Sequence, residues 1–230
     1  MHTFYFEVLL DERMAQIFPL IGRFFKQELR NSNALFSLGL YLIGITYLIY
    51  LLGGNTAADS TWNTLLWVVV FFAAVTQSSR SFELESQDYF YYYQTVAGPG
   101  PTIIAKLIFN ASYMALLSLV SWLLFSFFYG NSVYDPGVFA LGLLLGSIGF
   151  SVVLTLTNGI ASRTAGNATL STILAIPLMF PVLKLTSTIN VQAMVGVAFE
   201  DVLPLLGSLG ALDIAIGLLA YLLFPYLWQD

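Results

Sequence analysis

Six apolar runs, most of them about as long as a bilayer is thick, constrain this chain more than anything else in it. They are 35–52, 62–76, 102–129, 137–162, 168–187 and a last one lying within 203–228, at about 207–227. A helix crossing the hydrocarbon core needs roughly 20 apolar residues. Five runs meet that length, and the short second one opens on Trp62, a residue suited to the interface. The charge content agrees: 9% of residues are charged, against roughly a quarter in a soluble domain. Too few charges remain to cover a water-facing surface, so the expected fold is all-α, a polytopic membrane protein of six transmembrane helices forming one membrane domain over residues 1–230.

Several function classes fall away on residue types alone. The chain has no cysteine and a single histidine, His2, so neither a thiolate site nor a cluster of metal or haem ligands is visible. A net charge of −5 and an isoelectric point near 4.7 do not suit nucleic acid. The start, MHTFYFEVLLDERM, lacks the pattern of a cleaved signal, so the first span is expected to direct insertion. There is no phosphate loop, no H-E-x-x-H and no G-x-S-x-G. The chain therefore reads as a non-enzyme: a permease, a scaffold, or a subunit moved by another protein's ATP.

Residues 14–31 carry helical periodicity. Ile17, Phe18, Ile21, Phe24, Phe25 and Leu29 fall on one side, with Arg13, Gln16, Arg23, Lys26, Gln27 and Arg30 mostly on the other. Such a helix lies in the membrane interface or packs on a soluble partner. Basic residues then orient the bundle. Arg13, Arg23, Lys26, Arg30, Arg80, Lys106 and Arg163 share one side, and only Lys184 of the eight falls on the other. The excess assigns both termini to the cytoplasm.

The cytoplasmic stretch 77–101 is the candidate coupling segment. It holds Glu83, Glu85, Asp88 and a tyrosine cluster that includes Tyr92. It closes on a Gly98-Pro99-Gly100-Pro101 turn, with Lys106 just beyond. Gly/Pro pairs break a helix. The segment before them can lie along the membrane and pass a partner's movement to two spans; the plainer reading is an aromatic-belted loop. Gly142, Gly146 and Gly149 give the fourth span a small-residue face, suited to close helix packing more than to a transport path. Pro177 and Pro181 make the fifth span a hinge or a fixed kink. Asp213 is an intramembrane or an interfacial acid. Pro204, Gly207 and Gly210 before it suggest irregular structure, a span starting near Ala211 and a carboxylate at the outer interface. A surface enzyme using Glu200, Asp201 and Asp213 is a further reading.

This layout resembles the ABC-2-like permease plan and, more closely, the CcmB family. The resemblance rests on Glu85, the Gly98-Pro99 turn and Ile103-Ile104-Ala105-Lys106, then on LLLGSIGFS at 143–151 and NATLSTILAIPLMFPV at 167–182. YLLFPYLW at 221–228 matches one branch of the family. The match runs from about residue 20 to the end, although Asp88-Tyr89-Phe90 stands where that family more often has Gly-x-Leu-Glu.

What the resemblance implies is a bacterial inner-membrane subunit of the ABC complex for c-type cytochrome maturation. It would transmit the motion of an ATPase, CcmA, to haem handling and release of the loaded chaperone. CcmC, CcmD and the haem chaperone CcmE are its implied partners, and a second copy of the chain is a further candidate. No cofactor is expected on this chain itself: ATP acts through the ATPase and haem is handled by the complex. The alternative is a general ABC-2 permease exporting a lipid, drug or glycan. Reporter tags at Asp88 and Asp135 are expected to fall in opposite compartments; finding both in one compartment would refute the topology.

Overall fold

The computed structural model describes residues 17–53, 59–83, 98–130, 132–162 and 168–227. Among them are seven helices and no strand: α1 (Ile17–Arg30), α2 (Ser32–Gly53), α3 (Asp59–Glu83), α4 (Pro99–Tyr129), α5 (Pro136–Ser162), α6 (Ala168–Val195) and α7 (Phe199–Leu227). All but α1 are long and apolar enough to cross a membrane. Lipid offers the backbone no hydrogen-bond partner, so each crossing segment must satisfy its own amides as a helix. The chain alternates between two ends of the bundle, called here the Pro99 end and the Pro136 end.

That backbone requirement explains where the helices outrun expectation. α6 continues to Val195, two turns past residue 187, and α7 begins at Phe199 instead of near 207–211. Pro204, Gly207 and Gly210 would weaken a helix in water, yet all three lie within α7. Pro177 and Pro181 likewise sit inside α6 without ending it.

α1 buries Ile17, Leu20 and Phe24, a helical face that meets α4 through Phe109. Phe24 and Phe25 approach that ring at 5.8 and 4.9 Å. Phe18 and Leu29, expected on the same apolar face, are exposed. At the Pro136 end, aromatic residues tie the spans together: Trp62 packs on Phe125 and Phe139, and Tyr50 on Phe128 and Tyr129.

α5 is the centre of the bundle, touching α3, α4, α6 and α7. It has no ionisable residue along its length. Its start is fixed by Asp135, whose Oδ1 accepts hydrogen bonds from the amides of Gly137 (2.9 Å) and Val138 (3.1 Å), an N-cap. The Asp135 amide in turn donates to the carbonyl of Ala193 at 3.0 Å, pinning the start of α5 to the end of α6. There the chain turns through Gly196 at φ 75°, where a Cβ would lie 2.6 Å from the Tyr134 ring.

Glycines let α5 approach its neighbours. A Cβ on Gly142 would overlap Asn190, one on Gly146 would overlap Thr186 and the Trp67 ring, and one on Gly149 would fall 2.5 Å from Asp213 and 2.7 Å from Val182. Gly44 on α2, by contrast, has open space about it. Gly146→Ala is expected to lower thermal stability in detergent by about 1–3 kcal/mol, an overpacking cost, with Gly44→Ala unchanged or slightly stabilised. Equal melting of the two variants would show that α5 is not closely packed at this site.

Candidate functional site

Two places gather the residues that sequence singled out: the Pro99 end, where α3 and α4 emerge, and the interior face of α5. Glu83 is the last residue of α3. Glu85, Asp88 and Tyr92 lie outside the described residues, as does most of the segment 77–101 that holds them. The description resumes at Gly98, the N-cap of α4, with φ 80° and no side-chain cap. Pro99 follows as the first helical residue, where its missing amide costs nothing and its fixed φ suits the helix. A residue with a Cβ is disfavoured at the positive φ of Gly98, and Pro99 fixes the φ directly after it, so the chain enters α4 through a defined elbow.

Behind the elbow, α4 goes straight into the core. Thr102, Ile103, Ala105 and Lys106 are all buried, Ile103 and Ala105 completely. The Thr102 hydroxyl donates to the carbonyl of Gly98 at 2.8 Å, locking the elbow to the helix. A Cβ on Gly100 would sit 3.6 Å from the Tyr221 hydroxyl, and Ile103 packs on Phe224, so the start of α4 bears on the end of α7.

Lys106 differs from what its charge suggests. Expected at the partner-facing surface, it is 1% exposed and lies within the bundle. The reason is that α4 begins at Pro99 and already carries buried positions at 102, 103 and 105, so position 106 falls on the same inward face. It thus forms part of the inner support of the elbow.

The second place is a polar seam through the apolar core. Next to Gly142, Asn190 is fully buried, and neither polar atom of its amide has a hydrogen-bond partner among the described residues. Deeper, Ser118 and Ser147 share a hydrogen bond of 2.7 Å between α4 and α5. Asn110 donates to Thr155 at 2.9 Å, and Ser171 of α6 bonds to Thr157 and Asn158 of α5. At mid-helix stands Asp213, 5% exposed, against Gly149, with neither carboxyl oxygen hydrogen-bonded to a described residue.

Asp213 therefore lies at the middle of α7, buried against α5, and not near the start of that helix. Its fourteen-residue separation from Phe199 sets it about 21 Å along the helix. The same geometry removes the surface-enzyme reading. Asp201 and Asp213 are twelve residues apart on one continuous helix, about 18 Å, and cannot converge on one cation with Glu200.

Sequence reasoning missed Asn190, because it lay beyond the expected end of the fifth span, and passed over Asn63 and Asn110. Their signal is simple: a lone amide in an apolar run is costly to leave facing lipid and turns into the bundle. Asn63 does so, donating to Ser187 through both its hydroxyl (2.9 Å) and its carbonyl (3.1 Å).

Comparison with known families gives one match: the model described as CcmB protein, over residues 15–222. No curated protein matches the chain.

An unpartnered buried carboxyl makes a sharp prediction about stability. Replacing it by an apolar side chain of similar shape, Asp213→Leu, is expected to hold or raise the melting temperature of the purified protein, by up to about 1–3 kcal/mol in stability. A clear fall would mean that the carboxyl is satisfied by bonds the leucine cannot make.

Proposed function

The chain belongs to the CcmB family, the membrane subunit of the haem-exporting ABC system of cytochrome c maturation, and from that premise we propose that it works as a mechanical coupler. ATP is hydrolysed by a partner subunit, CcmA in this reading, docked in two copies beneath residues 77–101 at the cytoplasmic face of the inner membrane. Both termini lie on that face. CcmC, CcmD and the chaperone CcmE complete the assembly, and the motion delivered by this chain releases the haem-loaded chaperone.

The observation that carries the reading is the elbow at Gly98 and Pro99. A push on the segment before it meets a turn fixed by Pro99, whose helix is buried at Thr102, Ile103, Ala105 and Lys106 and bears on Tyr221 and Phe224 of α7. Displacement therefore reaches two spans at once. A flexible tether would absorb the same displacement. The glycine face of α5 favours coupling over a permeation path, since Asn190, Thr186 and Asp213 close directly onto it.

Glu85→Lys, at the segment expected to meet the ATPase, and Gly98→Val, which strains the positive φ, are expected to leave membrane insertion intact. Haem staining of c-type cytochromes should fall severalfold while ATP turnover continues. Normal cytochrome levels in both variants, with the ATPase bound, would remove the coupling role. Deletion of the gene with no change in cytochromes would favour a general lipid, drug or glycan permease.

A further inference from the structure

A groove of about 370 Å³ opens on the lipid-facing side of the bundle between α3 and α6. Trp67, Phe71, Phe72 and Phe180 line it, and Lys184 and Ser187 bound it toward the Pro136 end. Lys184 is exposed. Two residues away, Val182 is fully buried beneath Gly149, so the lysine leaves α6 on the side opposite α5.

The depth of this lysine is the anomaly. Read from sequence, it sat near the end of a span closing at residue 187, within reach of the interface. With α6 running to Val195, eleven residues separate it from the helix end, about 16 Å. A hydrocarbon core of about 30 Å centred on the helix places its Cα about 10 Å inside. Ionisable groups at such depth face a protein interior or a water-filled cavity and pair with another group. No described carboxylate reaches Lys184: Asp135, Glu200 and Asp201 lie at the Pro136 end, and Asp213 is buried against α5. The facing helix α3 has no ionisable residue between Ser60 and Gln77.

We propose that this groove is the docking face for a transmembrane helix of a second, different membrane subunit, one that brings a carboxylate level with Lys184. Charge decides the identity of the occupant. Another copy of this chain, related by a twofold axis through the groove, would set Lys184 against Lys184. It also has no lipid-facing carboxylate at that depth to offer, because among the described spans the one acid away from a helix end is the buried Asp213. A phospholipid headgroup remains at the bilayer surface and does not reach the level of the lysine. A helix with an Asp or Glu among apolar residues fits both the aromatic walls and the ammonium. The inference deepens the multi-subunit reading above, and its test reads subunit contact without reference to cytochrome formation.

The full complex would be expressed in its own membranes with a benzophenone side chain replacing Phe180, or replacing the exposed Phe36 of α2 as a control on another face. Irradiation is expected to join position 180, and not position 36, to a different integral membrane subunit, in a peptide containing an acidic residue. Lys184→Met should cut the yield about tenfold or more, with Lys184→Arg retaining it. Lys184→Asp should lose the cross-link and regain it when the mapped acid on the other subunit is changed to lysine. That charge exchange separates loss of pairing from loss of folding. Adducts to a second copy of this chain, adducts to lipid alone, or a yield indifferent to Lys184→Met would each overturn the proposal.

Discussion

Close approach along the glycine face of α5 is the contact on which the remaining architecture depends. In lipid, apolar side chains gain little by meeting one another, because the acyl chains are equally apolar. Helices then associate where their surfaces fit and where polar groups find cover. Gly142, Gly146 and Gly149 supply the fit, and Asn190, Thr186 and Asp213 occupy the space that the missing side chains leave. The same feature thus explains both the tightness of the core and its polar thread.

A bundle held this way has an uneven interior. At the Pro136 end it is fastened by an N-cap, a backbone hydrogen bond and edge-to-face aromatic rings. Through its middle run buried amides and a carboxyl, some of them without partners among the described residues. Unpaired polar groups in a low-dielectric interior are costly, and membrane proteins that carry them commonly use them. The seam sits between the elbow at Gly98 and the fastened end, along the route a displacement would travel.

Much of the fold was legible in the sequence because lipid solvation leaves so few options. Runs free of charge over a bilayer's thickness announce helices whatever their neighbours. The errors came from rules that hold in water. Pro204, Gly207 and Gly210 read as breakers, but α7 continues through them. Lys106 read as surface because it is charged, yet the inward face of α4 claims it. Asp213 was singled out as an acid but expected near the start of its helix, since its place depends on where α7 begins and that start carries no strong local signal. Asn190 was missed for the same reason at the end of α6. Of the coupling segment, the elbow at Gly98 and Pro99 is described, while Glu85, Asp88 and Tyr92 lie outside the described residues.

The corner formed by Tyr134, Asp135 and Gly196 has a mechanical consequence. It joins the start of α5 to the end of α6 through a backbone bond and a ring seated on a glycine that can hold no side chain. Two rods fixed at one tip and driven at the other do not slide; they rotate about the fixed tip. The corner holds these two tips at a fixed separation, so the freedom it leaves to α5 and α6 lies at their opposite ends.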